Sequence, residues 1–150
     1  MVQLAQSLKN LCFRQAVGDP VILKVRIPVD RSARESLWKR YFKQTRDRTG
    51  RVQTISPTKE DARQFARELF VLVVADWNVD DRAGNRVPLN ESTYEDYIGF
   101  LPSSVGKTLM QVAFNDPIDD QDGSVYFAET EADIEAHEVR SVAEDVDPKG

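Results

Sequence analysis

Residues 71–89 read VLVVADWNVDDRAGNRVPL, and the assignment of their apolar start decides the fold. Upstream, Ala62, Phe65, Ala66, Leu69 and Val73 recur at helical spacing, and Trp77 continues the stripe. On this reading one helix begins after Thr58, whose hydroxyl is placed to cap it. Glu60 and Asp61 stand in its first turn, where carboxylates favour the helix dipole, and it closes on a core Trp77. Phe70, Val71, Leu72, Val73 and Val74 leave no polar face, so the helix end is expected to be covered on several sides. Their β-branching keeps a strand over 69–75 as the alternative.

The acids that follow alternate, with Asp76, Asn78 and Asp80 spaced as in the first half of a calcium loop. That loop needs glycine at its sixth position and glutamate at its twelfth, and here Asp81 and Val87 stand there. Gly84 instead suits a chain reversal after Trp77, with the acids solvated. Residues 118–129, IDDQDGSVYFAE, come closer, with Asp120, Asp122, Gly123 and Glu129 in register. Ile118 holds the first ligand position, however, and cannot ligate, and Pro117 interrupts the entering helix. Gly106-Lys107-Thr108 imitates a phosphate-binding loop, but Leu101 occupies the place of its first glycine. No metal or cofactor is expected.

Working outward, Val21, Leu23, Val25, Ile27 and Val29 alternate with polar residues as a half-buried strand, and Pro28 puts it near an edge or an end. Ser32 and Glu35 have capping-box spacing before a short basic helix carrying Leu37, Trp38, Tyr41 and Phe42. Residues 46–50 form a loop and RVQTIS a brief strand. Ser92 and Glu95 repeat the capping spacing before Tyr94, Tyr97 and Ile98. Leu101-Pro102-Ser103 starts a further helix, with Val105, Leu109, Val112 and Ala113 inward. SVYFAE is a candidate strand, and the remainder is weakly helical. Together these elements predict a mainly α fold, with α+β as the alternative. A helix-rich domain over 1–115 would hold a short N-terminal β element, followed by an acidic, partly disordered tail over 116–150 that could be deleted without unfolding the rest.

The chain of 150 residues, 41% apolar and 30% charged, suits one soluble globular domain. No apolar run approaches the ~18 residues of a membrane span, and the start lacks the pattern of a secretion signal. Cys12 is the single cysteine, which excludes an internal disulfide and reads as a small buried hydrophobe. Charge is uneven. Residues 1–70 carry 15 Lys and Arg against 7 Asp and Glu, whereas residues 71–150 carry 5 against 18. Such asymmetry fits an acidic tail, attraction between the halves, or association of copies.

Catalysis has few candidates. His137 is the single histidine and lies in the acidic segment, so no Ser/His/Asp or Cys/His set forms without it. No enzymatic activity is expected. The cations Arg31, Arg34, Lys39, Arg40, Lys43, Arg46, Arg48 and Arg51, with Trp38, Tyr41 and Phe42, could track phosphates and stack bases. The competing reading makes the rings core and the cations its solvated rim, and the acidic balance favours it. Trp38, Tyr41 and Phe42 remain the candidate partner-binding residues, and nucleic acid is not the expected partner.

Val74, Asp76, Trp77, Asn78, Asp80, Asp81, Gly84, Pro88, Leu101 and Pro102, followed by a helix, resemble the tail assembly chaperones of long-tailed bacteriophages. The likeness covers about residues 60–115. It implies a hydrophobic helix closing on Trp77 and Asn78, an acidic connection through Gly84 to Pro88, and a helix start at Leu101 and Pro102. It further implies a non-enzymatic protein of the host cell cytoplasm, absent from the mature virion, that binds tape-measure protein and tail-tube subunits. A structural tail or neck component of the virion, or a small nucleic-acid binder using residues 31–51, are the alternatives.

Overall fold

The computed structural model of the chain describes residues 7–118 and 123–145, with side chains through residue 138 in the last helix. Strands β1 (Ser7–Phe13) and β2 (Val21–Ile27) lead to helix α1 (Arg31–Tyr41) and a hairpin of β3 (Gln44–Arg46) and β4 (Val52–Thr54). Helix α2 (Lys59–Val73) runs directly into β5 (Val74–Trp77). Helix α3 (Glu91–Tyr97), a single 3-10 turn (Ile98–Phe100), α4 (Val105–Ala113), β6 (Val125–Ala128) and α5 (Glu131–Asp145) complete the order.

The architecture is α+β, which corrects the expectation of a mainly α domain. A four-stranded antiparallel sheet in the order β5-β2-β1-β6 forms its centre. Leu11 lies opposite Leu23, which lies opposite Trp77, while Cys12 lies opposite Ile22 and Tyr126. One face therefore presents Leu11, Phe13, Val21, Leu23 and Val25 to Leu37 of α1, Phe65, Leu69 and Val73 of α2, Tyr94 of α3, and Val105, Leu109 and Val112 of α4. The other face packs Cys12, Ile22, Tyr126 and Ala128 beneath Ile134 of α5. No helix among the described residues is long and apolar enough to cross a membrane.

The physical cause of the correction is double coverage. Leu11, Cys12 and Phe13 are all buried because helices lie on both sides of β1. A strand covered on both faces loses the alternation that marks a half-buried one. The acidic segment is corrected for a related reason. Four of its apolar residues, Val125, Tyr126, Ala128 and Ile134, are buried where the sheet supplies a partner, so β6 and the start of α5 are part of the fold. Strand β6 pairs with β1, so the sheet includes residues beyond 115.

Trp77 is buried, 2% exposed, as the stripe predicts, but it belongs to β5 rather than to a helix end. Helix α2 stops at Val73, where Val74 turns to extended backbone at φ −96° and ψ 124°. The carbonyls of Val71, Leu72 and Val74 accept hydrogen bonds from Arg26 Nη1 at 3.1, 3.1 and 3.2 Å. That guanidinium meets the negative end of α2 and satisfies carbonyls the helix leaves open. Thr58 caps α2 as expected, accepting from Asp61 N at 3.1 Å. The other two caps sit two residues earlier than the spacing predicts, at Asp30 for α1 and at Asn90, paired reciprocally with Thr93, for α3. Glu95 is thereby free to bind Arg63 and Arg67 of α2.

Candidate functional site

The residues that carry the resemblance fold into one continuous unit. The indole Nε1 of Trp77 donates to the Val87 carbonyl at 2.8 Å. The Asn78 side chain accepts from Ile22 N at 2.8 Å and donates to the Pro20 carbonyl at 2.9 Å, binding the end of β5 to the start of β2. Gly84 has φ +83°, a conformation strained for a residue bearing Cβ, and the Asp81 carboxylate accepts from Ala83 N and Asn85 N to close the turn. Asp80 pairs with Arg86 at 2.8 Å, and Arg86 also donates to the Trp77 carbonyl at 2.7 Å. The Pro88 carbonyl accepts from Thr93 Oγ1 at 2.6 Å. Leu101 is buried, and the Pro102 carbonyl accepts from Val105 N at 3.1 Å at the start of α4.

The acids of this connection thus orient a turn and an arginine. Among the described residues no three His, Cys, Asp or Glu side chains come together as a metal site. The loop at 118–129 includes Asp120 and Asp122, which lie outside the described residues.

The unit also presents Phe100, 81% exposed at the end of the 3-10 turn. Beside it lies an open groove of about 580 Å³ lined by Val79, Asp80, Asp81, Arg82, Asp96 and Tyr97. Its lining combines the apolar Val79 and the rings of Tyr97 and Phe100 with three acids and one arginine. The sequence drew no attention to Phe100. Only its failure to fall on the buried side of Tyr94 and Leu101 signals it.

Trp38, Tyr41 and Phe42 are half-buried between α1, α2 and α4. Trp38 stacks on Phe42 at 3.8 Å between ring centroids and meets Phe114 edge-on at 5.3 Å. Phe65 lies edge-on to both Tyr41 and Phe42, and the Tyr41 hydroxyl bonds Glu68. These rings are brought together as packing of the helical layer, Trp38 and Phe42 face to face and Tyr41 edge-on to Phe65.

Several cations of the N-terminal half have partners. Arg63 and Arg67 pair with Glu95, Arg40 with Glu68, and Arg14 with Glu138. Arg34 donates to the Ala113 carbonyl at the end of α4 and lies over the Phe114 ring. The two arginines beside Glu95 hold its carboxyl down to about 2, Arg67 contributing most. Three of these pairs, Arg63 and Arg67 with Glu95 and Arg14 with Glu138, join the two oppositely charged halves, whereas Arg40 and Glu68 both lie in the first. The cations of the β3–β4 hairpin have no such partner among the described residues.

On the opposite face of the sheet, the Tyr126 hydroxyl donates to Glu138 at 2.9 Å, and His137 stacks on the Tyr126 ring at 4.1 Å. His137 is half-buried there. Burial pushes the Cys12 thiol up to about 11, keeping it protonated and unreactive. Burial first, then the bond to Glu138, raises the Tyr126 hydroxyl. This cluster fastens α5 to the sheet. No family model matches the chain, and no curated protein or solved structure is similar to it.

Proposed function

We propose that the chain is a non-enzymatic tail assembly chaperone of the long-tailed bacteriophage type, acting in the host cytoplasm on tape-measure protein and tail-tube subunits. The observation that carries this reading is Phe100, 81% exposed at the end of the 3-10 turn beside a groove lined by Val79, Tyr97 and acidic side chains. An aromatic ring presented beside a concave apolar surface gives a protein interface its area at small entropic cost. The residues of the resemblance, Trp77, Asn78, Gly84, Pro88, Leu101 and Pro102, act as its scaffold. A long helical partner docking by spaced apolar anchors would be shielded from aggregation at this surface, which is the physical task of such a chaperone.

Co-expression with the tape-measure protein of the same genome tests it. The expected result is a soluble complex recovered on a tag attached to this chain, with Phe100→Ser reducing recovery several-fold at an unchanged thermal midpoint of the chain alone. Stoichiometric presence in mature particles would make the chain a tail or neck component instead. A gene neighbourhood without phage tail genes would overturn the reading.

A further inference from the structure

We propose that the β3–β4 hairpin is a docking arm that binds the acidic edge of the central sheet in a second copy of this chain, joining copies head to tail. Every residue from 43 to 56 is exposed except Asp47, which is half-buried. The arm is nevertheless shaped in advance. The Asp47 carboxylate accepts from Thr49 N at 2.9 Å, Thr49 Oγ1 at 2.7 Å and Arg51 N at 2.9 Å, and Gly50 has φ +82°. These bonds, the Thr49 hydroxyl foremost, hold the Asp47 carboxyl below its ordinary range, so the arm's one acid serves its own turn. An arm ordered before binding loses little entropy on docking.

Its cations are left over. Lys43, Arg46, Arg48 and Arg51 have no carboxylate within 4.0 Å among the described residues, whereas Arg40, Arg63, Arg67 and Arg86 each have one. Val52 and Ile55 stand on the same arm at 54% and 49% exposure. Apolar side chains amid unpaired cations suit an acidic protein surface better than a phosphate backbone. The rings that could have stacked on bases, Trp38, Tyr41 and Phe42, are half-buried and packed against the helical core.

The complementary surface is on the same molecule. Strand β6 is an outer strand of the sheet, so among the described residues no further strand pairs with one side of its backbone. Phe127 is exposed on it, and exposed Glu129, Glu131 and Glu135 follow. None of these three glutamates has a cation within 4.0 Å among the described residues. The arm extends from α1, on the face of the sheet that bears Leu11 and Phe13, whereas Glu131 and Glu135 stand on α5 over the face that bears Cys12, and Phe127, opposite Leu11, lies at the edge between them, so the two patches are distinct. A contact between two different patches is heterologous, and repetition closes a ring or extends a filament. Phe100 belongs to neither patch, so this contact and the chaperone reading fail separately.

Light scattering across protein concentration, from about 0.01 M to about 1 M salt, reads the association while the Debye length falls from about 30 Å to about 3 Å. The wild-type chain is expected to associate at low salt and to dissociate as salt rises. R46E/R48E/R51E and E129K/E131K/E135K are each expected to weaken association at least tenfold, with thermal midpoints unchanged. Mixing the two variants should restore it, because each then offers the charge the other lacks. R46Q/R48Q/R51Q serves as a milder second variant and should weaken association by less than the reversal. A wild-type chain that stays monomeric at low salt, or a variant mixture that stays dissociated, overturns the proposal. Oligonucleotide binding by a monomeric chain would assign the arm to a polyanion instead.

Discussion

The Trp77 indole donates to the Val87 carbonyl at 2.8 Å, so a buried aromatic is both a core residue and the fastening of the turn that follows it. Its ring lies 5.4 Å from that of Phe70, which in turn stacks on Tyr94 at 4.4 Å. Sheet, α2, α3 and the connection between them thus meet at one side chain.

Trp77→Ala is expected to cost about 3–5 kcal/mol by loss of buried ring and creation of a cavity. Trp77→Phe keeps much of the ring but leaves the Val87 carbonyl without its donor, at a cost of about 1–3 kcal/mol. Urea denaturation orders the two, and an alanine variant as stable as the phenylalanine one would contradict this arrangement.

Arg26→Met should destabilise the fold by about 1–3 kcal/mol, because three carbonyls at the end of α2 lose a charged donor while the apolar stem is kept. Arg26→Lys should fall between the two, since one ammonium reaches fewer of them. Equal stability of Met and wild-type chains would show that water replaces the guanidinium without loss.

The Glu95 carboxyl, held down to about 2 by Arg67 and Arg63, lies below an unfolded glutamate at roughly 4.3. A depressed carboxylate stabilises the folded state fully above the unfolded value and loses that contribution as pH falls toward the folded one. The gap in melting temperature between wild type and Glu95→Gln should therefore be widest near neutrality and close between about pH 4 and pH 2. A gap independent of pH would separate Glu95 from this linkage.

Removal of residues 116–150 should abolish cooperative unfolding, since β1 loses β6 and the face bearing Cys12 and Ile22 is uncovered. The sequence alone leads to the opposite expectation. A truncated chain with native-like near-ultraviolet dichroism and a sharp melt would restore the view of this segment as an appendage.

Cys12 is fully buried and its thiol is pushed up to about 11, so an aromatic disulfide reagent should modify it only as fast as the protein opens. Complete reaction within the dead time of mixing under native conditions would show α5 undocked from the sheet.

The local features followed from sequence wherever one element carried its own signal. Thr58 capped α2, Val105, Leu109, Val112 and Ala113 lined the inner side of α4, and β2 alternated as a strand with one face on the core. Cys12 and Trp77 entered the core because their chemistry leaves water readily, whatever element holds them. Tertiary structure decided the rest. Whether 74–77 continued a helix depended on a neighbouring strand, since Leu23 and Lys24 of β2 offer the backbone partners that a helix would forgo. Strand β1 was hidden because helices on both sides erase its alternation, whereas SVYFAE reads as a strand by itself and only its place beside β1 depends on the tertiary fold. The surfaces were least legible. Exposure of Phe100 and isolation of the arm's cations arise from where distant residues fold, whereas Trp38, Tyr41 and Phe42, similar in composition, are turned inward by Phe65 and Phe114. Sequence fixes which side chains prefer burial, but the limited room in a close-packed core decides which of them remain at the surface.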